Sequence, residues 1–190
     1  MIAEANIWSA LVHFPVLDKA GARVTTSVTN MDVHDLSRSS RTFELKGFFI
    51  VTPIGIHRQM VQKVAAYWQE PSCGNRTPSR KEALGLVAVA DSIEAAAAVI
   101  EGEAGKKPDI IGTTAKRRKG AVPCTVMRKQ ISADPQRPRL ILFGTGWGLS
   151  PEVLDACTAV LEPVEGAGDY AHLSVRSAAA IVLDRLLGRR

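Results

Sequence analysis

Aromatic residues are scarce in this sequence, 5% of 190 residues, and there are only three cysteines. So few rings argue against an aromatic-lined β-barrel, and the abundant alanine and valine suit helices packed tightly on a sheet. Cys73, Cys124 and Cys157 are odd in number, far apart and without a CxxC spacing. That argues against a disulfide framework or a thiolate zinc site and favours reduced thiols. The histidines, His13, His34, His57 and His172, lack metal-ligand spacing, so no metal is expected. Neither GxSxG nor GxxxxGK[ST] occurs, so hydrolase and NTPase readings have no support. No apolar run approaches the ~20 residues that cross a bilayer. The opening MIAEANIWSALVHF has no basic n-region and carries Glu4, so it does not read as a secretion signal and a cytoplasmic location is expected.

What remains is an ordinary globular composition, 46% hydrophobic and 23% charged, with enough chain for one domain over residues 1–190. A net charge of +5 leans modestly toward polyanionic partners, because cations displace counterions from phosphates.

Apolar runs alternate with helical patterns, which predicts βαβ units and an α/β fold with a mostly parallel sheet flanked by helices. Strands are predicted at residues 8–16, 47–52, 84–90, from 108 to 112, 139–143 and 159–161. Asp32 reads as the N-cap of a helix running to Phe43. A second helix is predicted over 56–69, followed by a loop over 71–80. Asp91-Ser-Ile-Glu94 reads as a capping box opening a helix to Glu101. Residues 123–131 favour helix, Ser150-Pro-Glu opens another, and residues 173–187 form a C-terminal amphipathic helix closed by Gly188.

The fifth predicted strand runs into Phe143-Gly-Thr-Gly-Trp-Gly-Leu149. Glycines after a buried strand permit unusual dihedrals and let a ligand approach the backbone. The competing reading is a dinucleotide-binding GxGxxG, but the third glycine would fall on Leu149. That fingerprint also opens the first βα unit, whereas little more than one such unit follows this turn. Ile111-Gly-Thr-Thr-Ala115 leads into the basic run Lys116-Arg-Arg-Lys119. Hydroxyl residues at a strand's carboxyl end commonly line the ligand crevice of open sheets, while a basic run is as often a solvated loop. Arg38 and Arg41 are i, i+3 neighbours that could clamp a phosphate or simply offset the helix dipole. Ser177 to Ala180 are small enough for close packing against sheet or ligand.

Taken in order, VTNMDVHDLSRSSRTF (28–43), FFIVTP (48–53), LFGTGWGL (142–149) and LEPVEGAGDYAHLSVRSAAAIVLDRLL (161–187) resemble the SPOUT superfamily of RNA methyltransferases. The likeness runs nearly end to end. It is nearest to a small stand-alone family related to the C-terminal part of tRNA guanine-N1 methyltransferase-like proteins. The resemblance implies a C-terminal deep trefoil knot, a rare exception among folds. It also implies S-adenosylmethionine held in that knot, a homodimer, and tRNA or rRNA as partner.

The cofactor would lie among three loops. These are Thr113, Thr114 and Ala115; then Phe143, Gly144, Thr145, Gly146, Gly148 and Leu149; then Leu161, Pro163, His172, Leu173, Ser174 and Val175. Matching Ser40-Arg-Thr42 to the superfamily's first motif gives Arg41 as the arginine that meets RNA. The last motif usually reads LNxSxAAA, and Ser174 here stands at the asparagine position, which weakens a ribose 2′-O mechanism. Asp169 is then the expected base and Arg176 a further holder of phosphate or target, since an acidic base suits proton removal from a base nitrogen. An RNA-binding or assembly module that kept the fold without catalysis is the alternative function, and a dinucleotide oxidoreductase is a distant third.

Overall fold

Strand β1 (Ile7–Val12) is buried on both faces along its whole length, as a strand needs to be at the centre of a sheet covered on both sides. The computed structural model describes residues 5–168 and 170–189. Around β1 the sheet runs β5 (Val87–Ala90), β4 (Gly47–Val51), β1, β7 (Arg139–Gly144), β6 (Asp109–Gly112), β8 (Ala159–Val160), with every neighbour parallel. Ile7 and Leu11 of β1 belong to the core cluster under α1 (Asn30–Thr42), α2 (Gly55–Gln69), α4 (Pro78–Leu84), α6 (Cys124–Ala133) and α8 (Val175–Leu187). Trp8, Ala10 and Val12 alternate onto the other face, beneath α5 (Ile93–Ala104) and α7 (Pro151–Ala156). The strand order reverses direction at β1, and β7 lies directly beside it. That places the glycine turn at the switch point of the sheet, where ligand crevices form.

Several local boundaries differ from the sequence reading, each for an identifiable reason. The first strand stops at Val12. Beyond Pro15 the chain folds into a small hairpin, β2 (Val16–Leu17) against β3 (Arg23–Val24). Asp32 is not the N-cap of α1. Thr29 is, and Asp32 is the third helical residue of a capping box, each side chain bonding the other residue's backbone. The predicted loop over 71–80 holds α3 (Pro71–Gly74) and the start of α4, each with proline in its first turn. Helix α5 runs on to Ala104 because Gly105, at φ 68°, supplies its left-handed cap. Helix α8 starts at Val175, with Ser174 as N-cap accepting from the Ser177 amide. The three cysteines are free thiols. Among the described residues no helix is long and apolar enough to cross a membrane.

Candidate active site

The carboxyl ends of β6, β7 and β8 open onto a cavity of about 720 Å³. Its walls come from three loops. Thr113, Thr114, Ala115 and Lys116 follow β6; Phe143 and Gly144 end β7 and Thr145 through Gly148 follow it; Glu162, Val164 and Ala171 through Ser174 follow β8. The first turns of α8 close it with Val175, Ala178 and Val182, and Thr26, Ser27 and Asp32 close the side toward α1.

Backbone pairing holds the loops in register. Val122 donates to the Val160 carbonyl and accepts from the Glu162 amide, and Leu161 donates to Gly112. Thr113 Oγ1 donates to the Leu142 carbonyl at 2.8 Å. The glycine turn is laced to the hairpin segment, Trp147 N–H to the Leu17 carbonyl and Leu17 N–H to the Gly148 carbonyl, both at 2.9 Å. Each glycine of the turn meets a separate demand. A Cβ on Gly144 would stand 2.6 Å from the Leu149 nitrogen, and one on Gly146, at φ 59°, would stand 2.8 Å from the Leu17 oxygen. Gly148 sits at φ 101° with open space beyond its Cα, so the backbone there is bare to the cavity.

Behind the turn runs a polar chain. Thr145 Oγ1 donates to the Val12 carbonyl at 3.0 Å and lies 2.5 Å from Thr26 Oγ1, which is bonded to His13 Nδ1 at 3.0 Å. His13 is fully buried and its Nε2 has no partner. Burial pushes the imidazole down to about 4, against opposing attraction from Asp32, so the ring is neutral at physiological pH.

Asp32, almost fully buried, lines the cavity. One oxygen accepts from Thr29 Oγ1 at 2.6 Å and the other from Arg176 Nη1 at 2.8 Å. Arg176 also reaches Asp35 at 3.3 Å. This triangle ties the start of α8 to the start of α1 beside the cavity.

The residues anticipated from sequence distribute as follows. Thr113, Thr114, Ala115, Phe143, Gly144, Thr145, Gly146, Gly148, His172, Leu173, Ser174 and Val175 line the cavity. Leu149 and Leu161 are core residues beneath it, and Pro163 faces a second, more open hollow between α6 and α8. Arg176 is held next to the cavity by its two carboxylates. Arg41 lies near the far end of α1, paired with Glu82 of α4. At about 1.5 Å per residue, nine residues of helix separate it from Asp32. Asp169 lies outside the described residues. Trp147 and Glu162, within the anticipated loops, also line the cavity, as do Thr26 and Asp32, which were not anticipated there. Thr29-Asn-Met-Asp32, a Thr-x-x-Asp spacing at a helix start, was the one available signal for Asp32.

A parallel sheet of this order with its cavity at the carboxyl ends of the last strands is the architecture of the SPOUT methyltransferases. One such structure, the TrmH/SpoU tRNA modifying enzyme of Aquifex aeolicus, matches with a TM-score of 0.57 over 96% of this chain and 74% of that one. At 12% identity that likeness is one of fold alone. The family described as SAM-dependent RNA methyltransferase matches residues 6–188, and the chain belongs to it. It is 43% identical over 183 residues to a tRNA (guanine-N(1)-)-methyltransferase of Nitratidesulfovibrio vulgaris, covering 96% of this chain and 42% of that protein. It is 40% identical over 189 residues to an uncharacterized protein of Aquifex aeolicus, covering 100% of this chain and 91% of that protein. The chain therefore spans less than half the length of the tRNA methyltransferase relative.

S-adenosylmethionine is the family's cofactor, and the cavity fits it. The volume falls within the roughly 300–1,000 Å³ of small-molecule sites. Val164, Val175, Ala178 and Val182 offer apolar wall, Thr113, Thr114 and Ser174 offer hydroxyls, and Glu162 offers negative charge. That mixture suits a purine, a ribose and a sulfonium cation. The bare backbone at Gly148 allows close approach.

Proposed function

We propose that this chain methylates a nucleotide of tRNA or rRNA, with S-adenosylmethionine held by the loops at residues 113–115, 143–149 and 161–175. The observation that carries the reading is the convergence of these three segments on one cavity at the switch point of the sheet. The cofactor supplies an electrophilic methyl group on a sulfonium. What falls to the protein is alignment of an RNA nucleophile with it and removal of that nucleophile's proton.

Arg176, fixed by Asp32 and Asp35 next to the cavity, is assigned on the sequence resemblance to hold a phosphate or the target. Asp32 has both oxygens engaged, so its part is to position Arg176. The base is assigned to Asp169 on the sequence resemblance. Arg41, a helix length away from Asp32, would meet RNA outside the cavity. The name of the Nitratidesulfovibrio relative suggests guanine N1 of tRNA as the methylated atom. The C-terminal trefoil knot is proposed on the sequence resemblance. Met31 and Ile56, large apolar side chains exposed at the starts of α1 and α2, support a homodimer, and the protein is taken to work in the cytoplasm.

Calorimetric titration with S-adenosylmethionine, followed by labelled methyl transfer to total RNA from a strain lacking the gene, tests this reading. Saturable binding and label in one nucleoside are expected, and Asp169→Asn should abolish transfer while keeping binding. No heat at millimolar cofactor sinks the proposal.

A further inference from the structure

The three tryptophans are treated in three ways. Trp8 is buried in the core on the α5 face. Trp68 is half-buried, with Arg80 above its ring at 4.9 Å and His34 edge-on to it. Trp147 stands at the rim of the cavity, 47% exposed. Its backbone is nonetheless fixed, flanked by left-handed Gly146 and Gly148 and bonded to the Leu17 carbonyl. A rigid turn thus presents an uncovered indole.

Two further rings join it from the loop after β8. His172 lies 6.2 Å from Trp147 and Tyr170 lies 5.3 Å from His172, both edge-on. Tyr170 is 80% exposed. Lys116 lines the same cavity as Trp147 and His172. Arg117 and Arg118 of the same loop are paired with Glu165 and Asp155. Among the described residues, Lys116 has no carboxylate within ion-pair distance.

Exposed rings and a cation around one cavity form the recognition chemistry of an unstacked nucleotide, because every base has a face to stack and every nucleotide a phosphate. Bases within an A-form duplex are already stacked and offer no free face. We propose that Trp147, with His172 and Tyr170, is a stacking platform for an unpaired nucleobase of the RNA substrate, with Lys116 on the adjoining phosphate. The substrate nucleotide then lies in a loop, bulge or single strand. This rests on the reading of the cavity as the S-adenosylmethionine site.

The test uses the full chain, Trp147→Ala and Trp147→Phe, a fluorescein-labelled single-stranded RNA, and the same RNA annealed to its complement. Anisotropy reads RNA affinity, calorimetry reads S-adenosylmethionine affinity, and light scattering reads mass. The expected result is about ten-fold or greater loss of single-strand affinity in Trp147→Ala. Trp147→Phe should retain most of it, and duplex binding and mass should not change. Unchanged single-strand affinity overturns the platform. A fall in cofactor affinity as large as the fall in single-strand affinity overturns it by giving Trp147 to the cofactor, and a change in mass by giving it to an interface between copies. A wild type that binds no S-adenosylmethionine overturns the underlying reading as well, whereas loss of the single-strand preference alone overturns only the platform.

Discussion

The two edges of the sheet use their polar groups in opposite ways. At the amino edge, Arg139 is buried and donates to the carbonyls of Asp134, Arg137 and Gln130. Arg137 is bonded to Asp109, and the Asn6 amide donates to the Gln136 carbonyl. These groups satisfy one another and seal that end. At the carboxyl edge, His13 Nε2 is buried with no partner among the described residues, Gly146 and Gly148 are left-handed, and hydroxyls and carboxylates line an open cavity. A buried polar atom left unsatisfied costs about 1–3 kcal/mol of stability, whereas glycine takes up left-handed backbone without steric cost. The edge that carries such a cost is the one with room for a ligand.

The sharpest way to break this contrast is Gly146→Val. The new Cβ would stand 2.8 Å from the Leu17 oxygen on a backbone at φ 59°, and a left-handed residue that is not glycine costs about 1–2 kcal/mol before any clash. Loss of S-adenosylmethionine binding by calorimetry is expected, with an unfolding midpoint lower by roughly 5 °C or more. Gly148→Ala shares the left-handed cost but meets open space, so its midpoint should fall less. Equal effects would mean that the Leu17 contact does not shape the turn.

The next effect concerns His13. Its folded-state value is lowered to about 4 by burial, against about 6.5 unfolded. Because the unfolded chain takes up the proton first, stability is intact above pH 6.5, falls as pH drops from there toward 4, and then levels off. The span corresponds to about 3 kcal/mol. Denaturant melts between pH 7 and 4.5 should show this loss, and His13→Asn should flatten it. A slope unchanged in His13→Asn would move the acid sensitivity to another group.

The same contrast explains what the sequence could reveal. The core strands were readable because a buried parallel strand is a continuous apolar run, as in Gly47–Val51 and Arg139–Gly144. The glycine turn was readable because glycine itself is the signal. Asp32 was misplaced by one role. A Thr-x-x-Asp start allows either residue to cap, and its bond to Arg176 spans 144 positions, which no local pattern encodes. Helix α4 was hidden by Thr77-Pro78, read as a break although proline also opens helices. The His13–Thr26–Thr145 chain could not be seen, because it depends on β1 and β7 being neighbours. Trp147 was placed in the cofactor loop with the glycine motif, but its exposed ring could not be read there, since exposure is a property of the fold.

The smallest effect is expected at Arg41, and it separates the two arginines of the expected site. Arg176 bonds a nearly buried carboxylate, whereas Arg41 and Glu82 are 40% and 56% exposed. Exposed pairs contribute about 0–1 kcal/mol. Arg41→Gln should therefore leave the unfolding midpoint nearly unchanged. It should also leave S-adenosylmethionine affinity intact, since the residue lies nine helical positions from Asp32. If Arg41 meets RNA outside the cavity, its loss should appear as a higher KM for RNA at an almost constant kcat. A fall in cofactor affinity would instead connect the far end of α1 to the cavity, and the separation of the two edges would then be incomplete.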